Sequence, residues 1–237
     1  MNSDKDRNGY VAEVNPNINK HPPIWQELVI ELFFRPGEFF KDLSILLQPR
    51  YVIPVCWIYG MSSAIDRIDQ QIFRKEIGNT TAQSEFITSL AENWIFYWVF
   101  VLASGAISGL FLWWIGGWWY RKRLQWSGAV DPDPRLARVV YVYASFVLSA
   151  PMVINSLIAT MVYDNYSQAY YSEESWSLLF LIFPFWSLFT SYRGSRTCFA
   201  VSKWKARIWF IILPFLLYLI SFGVIVGVLM MLDPEIS

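Results

Sequence analysis

Asp66, Arg67 and Asp69 follow an apolar run, Tyr51 to Ala64, that reads as the start of a membrane helix. Ionisable side chains at membrane depth are costly and tend to mark ion paths or proton relays. A helix starting at Pro49 reaches Asp69 after about twenty residues, which puts Asp66 and Arg67 in the outer few ångströms of hydrocarbon. At roughly 100° per residue, Asp66, Arg67, Gln70, Gln71 and Arg74 share one arc, and Ile65, Ile68, Ile72 and Phe73 share the other. Asp69 breaks this pattern, lying on the apolar side between Ile65 and Phe73. Its charged neighbour one turn away is Asp66, which repels it. Compensation must come from another helix, water, a bound cation or protonation; the alternative is a side chain that snorkels to a wet interface.

A second polar feature is Asn155 with Ser156, inside a later apolar run. Such an amide either glues two helices together or shares a polar pocket with the first span. Asp66, Arg67, Asp69 and Asn155 are therefore the candidate polar or ion site. Other reactive groups are sparse. His21 is the lone histidine, in a polar N-terminal stretch, and Cys56 and Cys198 have no metal-ligand spacing. "DPDP" at 131–134 reads as a stiff turn. Catalysis needs convergent groups, so no enzyme activity, cofactor or metal is expected.

The elements that must position these residues follow from composition. Of 237 residues, 55% are hydrophobic and 16% charged, against about a quarter charged in soluble domains. Lys+Arg and Asp+Glu both total 19, and this balance argues against a nucleic-acid partner. Apolar runs place spans at about 50–72, 94–120, 138–163, 176–192 and 208–232, after a flexible tail (1–23) and amphipathic segments (24–48), with a short tail at 233–237. The first fifty residues carry six Lys/Arg, residues 121–138 five and residues 193–207 five, whereas residues 66–93 carry three and 164–175 none. With five crossings, one side collects sixteen basic residues and the other three. The positive-inside rule then predicts a membrane protein with a cytoplasmic N-terminus and a non-cytoplasmic C-terminus.

Gly105 with Gly109, and Gly223 with Gly227, form GxxxG spacings that permit close helix contacts. Pro151, Pro184 and Pro214 should kink their spans. In "IWQELVIELFF" (24–34) and "RPGEFFKDLSILLQP" (35–49), apolar residues recur at helical spacing. These segments read as one or two interfacial helices, with Phe33, Phe39, Phe40 and Leu43 as docking residues on the membrane or on the bundle ends.

Three stretches carry a family likeness: "FRPGEFFKDL" (34–43); a Gly116–Gly117 turn region leading to "LARVVYVYASFVLSAPMV" (136–153); and "WSLLFLIFPFWSLFTSYRGSRTCFAVSKWKARIWFIILP" (176–214). Over roughly residues 33–230 the chain resembles the Yip domain (Ypt/Rab-interacting protein) membrane proteins in their bacterial form. The resemblance implies an all-α, polytopic five-helix bundle that acts through lipids or partners rather than by chemistry. Eukaryotic members bind Rab-type GTPases. The long cytosolic region and "DLYGP"-type motif of those members are missing, so Rab binding is not carried over. The expected function is a non-catalytic membrane adaptor or organiser, whose partners are the bilayer, other membrane proteins or further copies of itself. The alternative is a small transporter, channel subunit or lipid-handling protein with an outward polar cavity.

Overall fold

The computed structural model describes residues 25–42, 46–76, 83–172 and 182–232, and every element in them is helical. Two short helices, α1 (Trp25–Phe34) and α2 (Pro36–Phe39), precede α3 (Pro49–Glu76) and α4 (Gln83–Glu92). Next come α5 (Trp94–Trp126), α6 (Pro134–Val162), α7 (Tyr166–Tyr170) and α8 (Ile182–Cys198). The chain ends in α9 (Lys203–Arg207), a π-helical turn (Ile208–Ile212) and α10 (Leu213–Leu232). Leu43 and the two terminal tails lie outside the described residues, as does the start of the expected fourth span.

Local signals set the helix starts. The Asn93 side chain accepts from the Ile95 and Phe96 amides and opens α5, while Asp133 accepts from Arg135 N and opens α6, with Pro134 in its first turn. Both satisfy amides that a helix start leaves without partners. The "DPDP" turn works here: Asp131 takes a positive φ of 45° and pairs with Arg121 at 2.7 Å. Gly116–Gly117, read as a turn region, instead lies in the interior of α5. The residues flanking the pair are apolar and aromatic, and the helix continues past it to Trp126. The two glycines let α6 close in, because a Cβ at Gly117 would stand 2.2 Å from Arg138 Cγ.

The long helices alternate in direction. Trp57 Nε1 donates to Leu102 O and Cys56 Sγ to Gly109 O, so α3 and α5 are antiparallel. The Tyr59–Tyr141 hydroxyl pair and the Ser62 hydroxyl, which donates to Met152 Sδ, set α3 parallel to α6. Ser187 Oγ donates to Ala144 O, and Tyr120 OH to Ser191 O, locking α8 into the same bundle. At the α3–α5 crossing the backbones touch: a Cβ on Gly60 would lie 1.9 Å from Gly105 O and 2.6 Å from Gly109 N. Gly105 and Gly109 thus flank a third glycine on the neighbouring helix. A Cβ on Gly223 would meet nothing within 4 Å among the described residues, and the packing of Gly227 lies outside the description.

Three of the described helices are long and apolar enough to cross a membrane: Trp94–Trp126, Pro134–Val162 and Lys203–Ser221. The five-crossing count is thus met in part. Helix α3 has 28 residues, about 42 Å at 1.5 Å per residue, but Asp66, Arg67 and Asp69 dilute its apolar content. The described part of α8 has 17 residues, short of the roughly 20 a crossing needs.

The N-terminal segment is a clasp on this bundle. Trp186 Nε1 donates to Phe33 O at 2.7 Å, and Cys198 Sγ to Phe40 O at 3.5 Å. These two anchors on α8 are about 18 Å apart along the helix. Phe39 and Phe40, expected to dock on the membrane or on the bundle ends, pack into the bundle as core residues. Phe39 packs edge-on to Tyr143 at 5.1 Å, and Phe40 fills the space beside Gly194. Burial leaves neither ring free to enter a membrane. Phe33 is half-buried against Phe183, and the apolar groups α1 leaves outside are Trp25, Ile30 and Phe34, the last 75% exposed.

Candidate functional site

Two regions carry the polar chemistry, one at each end of the bundle. At the first, the α3 arcs are realised in part: Ile65, Ile68 and Ile72 are buried and Asp66 and Arg67 exposed, but Phe73, expected on the apolar arc, is exposed as well. Asp69 sits on the shoulder, half-buried, and its Oδ1 accepts a hydrogen bond from Tyr166 OH. Tyr166 belongs to α7, which the Asn165 side chain caps by accepting from Gln168 N. The Tyr166 ring stacks on Tyr97 at 4.4 Å, and the Tyr97 and Ser156 hydroxyls are 2.7 Å apart. Around them Trp94 Nε1 donates to Tyr163 O, and Trp98 Nε1 to Thr160 Oγ1. Burial, and then the neighbouring Asp69 charge, push the Tyr166 phenol well above its ordinary pKa, so it serves as a neutral donor.

Another element therefore supplies the compensation Asp69 needs. Asp66 turns outward and accepts from Gln70 Nε2 at 2.8 Å. Asn155 is half-buried, with its Oδ1 shielded from solvent and without a hydrogen-bond partner among the described residues. No hydrogen bond or ion pair described joins Asp69 to Arg67 or to Asn155. Tyr166 and Tyr97 escape a reading of local spacing, since Tyr166 is 97 residues from Asp69. Among the described residues no three His, Cys, Asp or Glu side chains come together as metal ligands would.

The second region is the basic end. Arg138 lies over Trp114 at 3.9 Å, and Arg207 over Trp204 at 5.3 Å. Helix α9 exposes Lys203, Lys205 and Trp204, the last at 68%. Arg123 has a separate, internal role. In the π turn Leu213 N donates to Ile208 O, so Trp209 O loses that donor to the shifted register. Its i+5 partner would be Pro214, which has no N–H. Arg123 fills the gap, donating Nε and Nη2 to Trp209 O at 2.9 and 2.6 Å. Its guanidinium lies over Phe210 at 4.3 Å.

A helical bundle with three apolar crossing helices, lipid-facing flanks and one arginine-rich end defines an integral membrane protein. A family model described as Yip1 domain matches residues 30–225. The chain belongs to the Yip1 domain family, in keeping with the resemblance in its motifs. Neither a curated protein nor a solved structure gives a significant match.

Proposed function

We propose that this protein is a non-catalytic membrane adaptor or organiser that crosses the bacterial inner membrane five times, with its N-terminus and basic end in the cytoplasm. The observation that carries this reading is the contrast between the two ends. Asp69, the residue best placed for intramembrane chemistry, is engaged by Tyr166 inside an aromatic cage. At the basic end α9 presents Lys203, Trp204 and Lys205 outward, with no acid within ion-pair distance among the described residues. Exposed cations beside an exposed indole suit anionic lipid headgroups, at about 1 kcal/mol per charge near the surface, or an acidic protein surface. The sixteen-to-three division of basic residues supports the orientation.

Affinity purification from native membranes tests the proposal. The wild type should recover a reproducible set of partners or lipids, and a Lys203→Gln, Lys205→Gln, Arg207→Gln variant should lose it. An unchanged set would remove the basis of the reading. One observation favours a second reading, a transporter or lipid-handling protein with an outward polar cavity at Asp66, Asp69 and Asn155. That observation is the buried Asn155 oxygen, which has no hydrogen-bond partner among the described residues. Under that reading Asp69→Asn abolishes flux while the protein still accumulates.

A further inference from the structure

Between α3 and α5, on the half of the bundle nearer the basic end, lies a cavity of about 570 Å³. Its presence follows from the glycine crossing. Where Cys56 meets Gly109, a Cβ on Gly109 would stand 2.8 Å from Cys56 O, so the floor is backbone and no side chain rises to fill the space. The walls are apolar, formed by Val52, Ile53, Trp57, Leu110, Trp113 and Val139.

On α3 the lining residues run from Pro49 to Trp57, about eight residues or roughly 12 Å of helix. One leaflet of hydrocarbon is about 15 Å deep, half of the roughly 30 Å core. The groove therefore has the length of most of one acyl chain lying along the membrane normal. Its volume falls within the roughly 300–1,000 Å³ of small-molecule sites.

Among the lining residues the charged one is Arg135, at the Pro49 end of the groove. Its Nη2 makes one long hydrogen bond, 3.4 Å, to Leu47 O. No carboxylate lies within ion-pair distance of it among the described residues, and the nearby Asp133 Oδ1 accepts from the Arg135 amide as the cap of α6. The guanidinium thus keeps most of its donors free at the point where an apolar slot meets the headgroup layer. A guanidinium matches phosphate oxygens in geometry as well as charge.

We propose that this groove holds one acyl chain of an anionic glycerophospholipid, with the lipid phosphate on Arg135. The assignment rests on the placement of the basic end in the cytoplasmic leaflet and adds a specific lipid site to the adaptor reading. It sets this lipid apart from bulk lipid on the outward faces of α5 and α10, where apolar residues are exposed without a cation at the end of a slot.

Native mass spectrometry of the full chain, in micelles doped with phosphatidylglycerol or phosphatidylcholine of identical chains, tests it. The wild type should retain one phosphatidylglycerol in preference to phosphatidylcholine. Arg135→Gln should cut that preference about fivefold, the equivalent of one cation at roughly 1 kcal/mol. Ala106→Leu, which fills the cavity wall away from the glycine contact, should lower retention of both lipids. Arg74→Gln, an exposed cation at the opposite end of α3, should change nothing. Millimolar glycerophosphate should fail to displace the lipid, because it lacks the chain. Equal retention of the two lipids by the wild type, or variants of Arg135 and Ala106 that bind as the wild type does, would overturn the proposal. Displacement by glycerophosphate would also overturn it, pointing to a bare phosphate site. Partner recovery measured on Ala106→Leu separates the two claims: lost lipid with retained partners confirms the groove and leaves the adaptor reading standing, and lost partners with retained lipid contradicts the groove.

Discussion

The Arg123–Trp209–Pro214 arrangement makes a quantitative prediction. Replacing Arg123 with Met keeps an unbranched chain of similar reach against Phe210 but removes both hydrogen bonds to Trp209 O. Leaving a buried carbonyl without a donor costs about 1–3 kcal/mol, and loss of the cation over Phe210 adds about 0.5–2 kcal/mol. Relief of the guanidinium's desolvation offsets part of this, so Arg123→Met should destabilise by on the order of 2–3 kcal/mol. Lys, with a single compact head, should fall between. The decisive variant is Pro214→Ala. It restores an N–H that reaches Trp209 O in the π register, or lets the segment relax to α register, where Leu213 N reaches it. In that background Arg123→Met should cost about 1–2 kcal/mol less, since the carbonyl keeps a donor. The assay is reversible unfolding in mixed micelles for the four members of a double-mutant cycle. Additivity within about 0.5 kcal/mol would refute the claim that Arg123 serves the carbonyl Pro214 cannot reach.

Other consequences follow from the same packing. Gly60→Leu should lower stability by about 1–3 kcal/mol or more in the same assay, because the added atoms meet the Gly105 and Gly109 backbone rather than a flexible side chain. Tyr166→Phe should cost about 1.5–3 kcal/mol, the range for a hydrogen bond to a charged acceptor, while Asp69→Asn keeps an oxygen for the phenol and should cost less. Burial pushes the Cys198 thiol up to about 12, so the reactive thiolate is scarce near neutral pH. Maleimide should therefore label Cys198 only after unfolding, read by mass shift. Single cysteines at Val130, which is 95% exposed, and Ser172 should react with an impermeant reagent from opposite sides of the membrane, Val130 from the cytoplasm.

Much of this is legible along the chain because membrane crossing is written in local terms. Apolar runs and loop charge need no partner to be read, and the family motifs follow the same order. Asp69 stands out because helical phase alone places it among isoleucines. Its partner does not, since nothing local ties Asp69 to Tyr166 beyond the third long helix. Gly105 and Gly109 are visible as a spacing, whereas Gly60 becomes meaningful only once two backbones cross. Phe39 and Phe40 look alike whether a helix lies on lipid or folds onto the bundle, and the hydrogen bonds of Trp186 and Cys198 to the clasp decide between the two. The π turn follows from tertiary packing around Pro214, so the role of Arg123 is hidden among charges that otherwise read as positive-inside signal.

The most direct test of the adaptor reading compares two variants in one experiment, the recovery of partners and lipids from native membranes. Asp69→Asn should recover the wild-type set, and the Lys203, Lys205, Arg207 triple variant should lose it at equal protein level. The reverse outcome, with the basic end dispensable and Asp69 required, would contradict the account and favour a protein that works through its outward polar end.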